Sequence, residues 1–231
     1  MRNPSKATGK LITSYVRGRY IELEELRQSI KKTDSYLADQ LARRERVLKE
    51  SRDVISACSR AIINVHSGKG KDAAKELSMA RALLVSLRRS GEGPSARYLV
   101  SPETEYVEAS AVLALSKEKP IPALEGLGVT PEAYLLGLLD TVGELKRMVL
   151  NSIMKRKLVQ ATKYFEVMEE IYSVCSPLAV YDHVANGARR KIDVARMLVE
   201  DTRGLMAQET RRELLGKSMA RLEKKLDRGS R

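Results

Sequence analysis

Two pairs of carboxylates stand at helical spacing in this chain. Glu105 and Glu108 lie three apart in "SPETEYVEASAV", and Asp140 and Glu144 lie four apart in "LLGLLDTVGELKRM". Such spacings put both members of a pair on one helix face. Apolar residues flank each pair: Tyr106, Val107, Ala109 and Val112 around the first, Leu138, Leu139, Val142 and Leu145 around the second. If the two helices pack antiparallel along these stripes, four carboxylates converge. Hard divalent cations take oxygen ligands of this kind, and Mg²⁺ often combines a few carboxylates with waters and substrate phosphate. A cation there would acidify water and polarise a phosphoryl oxygen. The other reading is two ordinary solvated helix faces, and spacing alone leaves both open.

The surrounding charge sharpens the question. The chain has 231 residues, a formal net charge of +12 and 31% charged residues. Its pI is near 9.7. Such a balance predicts an acidic partner, nucleic acid first and an anionic membrane surface second. Yet residues 101–145 carry eight acids against only Lys117 and Lys119, and residues 146–165 carry six bases and no acid. That basic run ends in Tyr164 and Phe165, which suits base stacking or an ordinary solvated face.

Other chemistry finds little support. The two histidines, His66 and His183, have no Ser or Cys at triad-like local spacing. His66 reads as a helix-ending cap and His183 as a residue near a helix start. GxxxxGK[ST], GxGxxG and CxxC are all absent. Cys58 and Cys175 are isolated and read as buried reduced thiols of a cytoplasmic protein. No apolar run is long enough to span a membrane, and the N-terminus lacks a signal-peptide apolar core.

The elements that must position these residues read as helices throughout. Leu, Ala, Glu, Lys and Arg abound, while nine Tyr, one Phe and no Trp leave few aromatics for a sheet. The pattern predicts helices over about 11–32, from Asp34 to His66, over 72–90, about 102–117, about 131–153, about 156–175 and about 178–203. Gly204 is expected to separate a charged tail helix over about 206–227. Thr130 followed by Pro131 and Glu132 marks a capped helix start. The fold class is therefore all-α, a long antiparallel bundle of about seven helices. It divides into a helical domain over 1–204 and a basic helical tail over 205–231. Helices of this length predict apolar faces that one bundle leaves uncovered, and so an oligomer.

At this point the residues resemble a known family. "EYVEA" (105–109) and "VTPEAYLLGLLDTVGELKRMVLNSI" (129–153) closely resemble the translin/TRAX family, nearer the TRAX branch. "LKESRDVISACSRAIINVH" (48–66) and "VYDHVANGARRKIDVARMLVEDTRG" (180–204) are similar to further helices of that family. The loop over 118–129 is short, as in prokaryotic members. The resemblance implies a seven-helix protomer that assembles into a hollow homo-oligomer, often an octamer. It implies a Mg²⁺-dependent endoribonuclease acting on single-stranded RNA, with Mn²⁺ as a substitute ion. The family's catalytic carboxylates fall on Glu105, Glu108 and Asp140, with Glu144 as a further metal-holding acid. Its RNA-contacting bases correspond to Arg52 and Arg60. Arg147 joins them from its place one turn beyond Glu144.

Two other functions remain open in the sequence. One is a translin-like protein that binds single-stranded RNA or DNA without turnover. The other is a helical assembly protein whose acids pair with Lys or Arg of a neighbouring protomer.

Overall fold

The computed structural model describes residues 14–16, 19–21, 23–90 and 93–229. They form two compact units, one through Arg46 and one over Val47–Arg231.

In the first unit, β1 (Ser14–Val16) pairs antiparallel with β2 (Arg19–Ile21), Tyr15 opposite Tyr20. The helix α1 then starts at Leu23 and runs to His66, contributing to both units. The sequence predicts a helix over about 11–32 and a new one at Asp34; the structure has a hairpin and one helix instead. Residues 11–13, 17, 18 and 22 of that expected helix lie outside the described residues. The strands carry Tyr and β-branched residues, which favour extended backbone. Nothing in "KKTDSYL" breaks a helix, and the Thr33 hydroxyl donates back to the Ser29 carbonyl at 2.9 Å. Asp34 therefore sits within the helix rather than capping one. In this unit Leu26, Ile30, Leu37 and Leu41 are all more than half exposed.

The second unit holds the rest of the bundle. It contains α2 (Gly70–Ser90), α3 (Val100–Ser116), the short α4 (Leu124–Leu127), α5 (Pro131–Met154), α6 (Leu158–Cys175) and α7 (Ala188–Gly229). Seven α-helices are thus present among the described residues, and the all-α class holds. The tight connections α1–α2 and α5–α6 reverse the chain, so the two helices that each joins lie antiparallel.

Two expected boundaries move. The stretch over 178–187 is a 3₁₀ turn at Ser176–Tyr181 and a loop, not the start of a helix. Gly187, at φ +87°, takes the left-handed conformation that turns the chain into α7. Gly204 does not interrupt α7. One glycine inside a helix costs only about 1 kcal/mol, and the good helix formers around it outweigh that.

The core has two clusters. One joins α3 to α5, α6 and α7 through Val112, Leu139, Val142, Leu145, Met168 and Val199. The other joins α3 to α1 and α2 through Val54, Ala61, Ala80, Leu84, Leu87 and Val107. The helix α3 lies in both and is apolar on nearly every side, as a central helix must be. Glu105 and Glu108 therefore sit on the most enclosed helix of the bundle. Among the described residues, no helix is long and apolar enough to cross a membrane.

Candidate carboxylate centre

The centre is built where α3 meets α5. Gly137 makes that meeting close: a Cβ there would stand 2.6 Å from both the Thr104 carbonyl oxygen and Val107 Cβ. Only glycine allows the two backbones this approach. Register is set at the helix starts. Thr130 caps α5, accepting from the Ala133 N–H at 3.3 Å, while its own N–H and hydroxyl donate to Glu103 Oε2. Residue 103 thus faces 130, and 104 and 107 face 137. The two helices run in the same direction, not antiparallel as the sequence pattern suggests. The connection over 117–130 is long enough to carry the chain back to the same end.

This parallel register puts the two acid pairs at one level. Glu105, Asp140 and Glu144 all act electrostatically on Glu108. Burial first, then Asp140, Glu105 and Glu144, push the Glu108 carboxyl up to about 8, against the opposing pull of Lys191. Glu105 is also raised, by burial and then Asp140. Cys58 of α1 lies beside them: burial, then Glu105 and Glu108, push its thiol up to about 12. A thiol held so far up stays protonated and inert. Both cysteines are free and buried, as expected.

Two partners come from outside α3 and α5. The Lys191 ammonium, on α7, donates to both Oδ1 and Oδ2 of Asp140. His66, the last residue of α1, joins through Nε2 to Glu144 Oε2. That hydrogen bond, assisted by the charges of His66 and Arg147, holds the Glu144 carboxyl below its ordinary range despite partial burial. The His66 side chain is only 5% exposed. It does end a helix, as expected, but its ring serves Glu144 rather than a carbonyl cap. His183 is exposed in the loop before α7. Among the described residues, no three His, Cys, Asp or Glu side chains are already arranged to hold a metal ion. The four carboxylates act on one another without meeting at one point, because Asp140 turns to Lys191 and Glu144 to His66.

The expected RNA-contacting bases are placed unevenly. Arg147 Nη1 stands 3.8 Å from Glu144 Oε2 and is half exposed. Arg60 is exposed on α1 and pairs with Glu76 Oε2 of α2 at 2.9 Å. Arg52 is exposed on α1, one face-repeat before it. The structure brings Arg147 to the carboxylates and shows no contact of Arg52 or Arg60 with them.

Four residues escape sequence reasoning. Lys191 and His66 lie 51 and 78 positions from the acids they hold, beyond any local pattern. Gly137 reads as one more small residue in an apolar run. Glu103 reads as ordinary first-turn charge, yet it is 2% exposed and bonds Arg88 Nε at 2.8 Å as well as Thr130. Apolar neighbours on both sides, Leu99 and Val107, are the signal that marks its face as inward.

Comparison with known proteins finds this fold in other chains. The translin family model matches residues 99–201, the span that holds α3, α5 and most of the acid-bearing face. An uncharacterised protein of Methanocaldococcus jannaschii is 33% identical over 199 residues, which cover 84% of this chain and 86% of that protein. The crystal structure of AfC3PO is 31% identical, with a TM-score of 0.68 over 84% of this chain and 100% of that one. A second structure, the AfC3PO–duplex RNA complex, is 29% identical with a TM-score of 0.67, covering 84% and 99% of the two chains. Apo-NeC3PO, at 21% identity and a TM-score of 0.64, shares the fold.

Proposed function

The chain belongs to the translin family, and from that premise we propose that it is a TRAX-like, Mg²⁺-dependent endoribonuclease acting on single-stranded RNA. The observation that carries this reading is the gathering of four carboxylates at one level of α3 and α5, where burial first and then Asp140, Glu105 and Glu144 push Glu108 up to about 8. A surface acid pair has no such neighbours. The excess of carboxylate over local cation is what a hard divalent ion would relieve. Glu105, Glu108, Asp140 and Glu144 would hold Mg²⁺ or Mn²⁺. When bound, the ion supplies Lewis acidity: it acidifies the attacking water and stabilises charge on the phosphoryl oxygens.

The chain's own groups do the rest. Lys191 fixes the plane of Asp140, and His66 fixes Glu144. At neutral pH Glu108 carries a proton that it gives up when positive charge arrives. Arg147, half exposed beside Glu144, faces the strand as it enters and meets its backbone phosphates. Arg52 and Arg60 extend that basic contact along α1. Products carry 5′-phosphate and 3′-hydroxyl ends.

The RNA class is supported by the net charge of +12 and by the solution of a relative with duplex RNA. Assembly into a hollow homo-oligomer, an octamer, is supported by uncovered apolar side chains. Leu26, Ile30, Leu37 and Leu41 on α1, and Leu215, Met219 and Leu222 on α7, are each more than half exposed. Light scattering should give the mass of eight chains.

The test is cleavage of labelled single- and double-stranded RNA with Mg²⁺, with and without a chelator. Single strands should be cut only with the ion. Asp140→Asn should lose more than the roughly 10–100-fold that removing an outer partner of a metal site costs, while RNA binding survives. Tight, salt-sensitive binding with no Mg²⁺-dependent cleavage would instead establish a non-catalytic RNA- or DNA-binding protein. Products ending in 2′,3′-cyclic phosphate would overturn the chemistry.

A further inference from the structure

A cavity of about 200 Å³ opens beside His66, walled largely by the end of α5 and the start of α6. Its polar lining is His66, Asn151, Ser152, Lys155, Lys157 and Gln160, and no Asp or Glu lines it among the described residues. His66 belongs to two places at once, since its Nε2 bonds Glu144 of the carboxylate centre. On α5, Asn151 stands seven residues beyond Glu144, about 10 Å along the helix axis. The turn that carries the two lysines is closed twice. The Lys157 N–H donates to the Ser152 carbonyl at 2.9 Å and the Arg156 N–H to the Ile153 carbonyl at 2.8 Å, which is a Schellman turn. Arg156 holds the left-handed position of that turn, at φ +56°, where glycine is usual. Lys155 and Lys157 therefore flank the bend, and both line the cavity. Lys157 is also the N-cap residue of α6, and its side chain does not cap the first N–H groups of that helix. Among the described residues, neither lysine is paired with a carboxylate.

We propose that this cavity is a phosphoryl subsite, which seats one phosphate of the substrate strand on Lys155 and Lys157, beside the carboxylates. Two ammonium groups share walls that carry no neutralising acid, so the cavity calls for an anion. Its volume lies below the roughly 300 Å³ at which pockets begin to hold whole small molecules, and suits a phosphate group rather than a nucleotide. Lysines bind phosphate as point charges, and the uncapped start of α6 adds partial positive charge. Asn151 and Gln160 offer amide donors to the remaining oxygens. Lys155 and Lys157 are thus positioning residues: they hold the strand and do not touch the bond that breaks. A monoester at the end of a strand and a diester within it share this chemistry, and the test separates them. The inference rests on the RNA-cleaving reading above and adds to it where the strand is held.

The experiment measures the affinity of the full-length protein for a labelled single-stranded RNA across a salt series, in chelator. Lys155→Met and Lys157→Met keep the aliphatic stem and remove the charge. Each should reduce the slope of log affinity against log salt by about 0.7, the single-strand value per phosphate contact. Lys157→Arg should keep the slope, and so should Lys71→Met, at an exposed position on α2. Inorganic phosphate should protect Lys155 and Lys157 from acetylation and leave Lys71 reactive. Circular dichroism on each variant checks that the helices remain. Strands ending in a 5′-phosphate or a 5′-hydroxyl identify the group that is seated. A loss confined to the phosphorylated strand marks a terminal monoester and an equal loss an internal diester, and either supports the subsite. An undiminished slope in both neutral variants, or equal protection of all three lysines, would overturn the proposal and leave metal-dependent cleavage standing. Because these measurements exclude the ion, a failure of Mg²⁺-dependent cleavage would in turn leave the phosphate subsite standing.

Discussion

Thr130 donates both its backbone N–H and its hydroxyl to one oxygen of Glu103, each at 2.9 Å. The other oxygen takes Arg88 Nε at 2.8 Å. One buried carboxylate thus ties the end of α2 and the start of α3 to the cap of α5. Glu103→Ala should lower the unfolding free energy by about 3 kcal/mol, the lower end for breaking a buried pair, since Arg88 keeps some contact with water. Glu103→Gln keeps an acceptor for Thr130 and should lose less. Urea denaturation measures both. A loss below about 1 kcal/mol, the range of an exposed pair, would show that the tie does not hold these helices together.

Two glycines of α5 should respond to alanine with opposite signs. Gly137→Ala would press its Cβ into the Thr104 carbonyl and Val107, and should cost about 1–3 kcal/mol. Forcing α3 away from α5 should also weaken Mn²⁺ binding, because the acids come from both helices. At Gly143 a Cβ meets only Leu198 Cδ1, at 3.9 Å. There the same change should stabilise by about 0.5–1 kcal/mol through helix propensity alone. Equal thermal shifts in the two variants would contradict the close approach at residue 137.

Metal-free stability should fall as pH rises. Glu108 binds its proton more tightly folded, near 8, than unfolded, near the ordinary 4.5. Folding therefore takes up a proton between those values, and its stabilising effect is complete below about 4.5 and lost through about 8. Glu105 adds to this in the same direction. Glu144, held low by His66, acts oppositely, and its contribution disappears only as pH falls through its own lowered range. Glu108→Gln should flatten the decline and stabilise the metal-free protein at pH 8, while removing Mg²⁺-dependent cleavage. Thermal melts from pH 5 to 9 test this, and an unchanged slope in the variant would refute it.

Arg52, Arg60 and Arg147 should contribute to RNA affinity without reading sequence. Each change to Gln should reduce the slope of log affinity against log salt by about 0.7, the single-strand value per phosphate contact. Arg147→Gln should in addition loosen Glu144, so Mn²⁺ affinity should change in that variant alone. A variant with an undiminished slope would remove its arginine from the RNA path.

The candidate acids of this chain are more legible in its sequence than the framework that aims them. Glu105, Glu108, Asp140 and Glu144 announce themselves because helix periodicity is local: three- and four-residue spacings survive whatever the helices do next. Direction does not survive in the same way. Nothing within α3 or α5 says whether they run parallel, and the register emerges from Glu103 meeting Thr130 across 27 positions. Lys191 and His66 are long-range partners for the same reason. Helix ends misled at Asp34 and Gly204, since a capping-type residue or a lone glycine is only a weak stop when good helix formers continue on both sides. Thr130–Pro131 was legible because the cap, the first-turn proline and the following acid all agree.

All four acids, with Lys191 and His66, belong to a single chain and to a single compact unit of it. If chains carrying Asp140→Asn are blended with unaltered ones, the shells should lose turnover in simple proportion to the fraction of altered chains. A composite centre would instead fall off as a higher power of that fraction. On the proposed reading, a proportional loss would mark each protomer as an independent workshop inside the assembly.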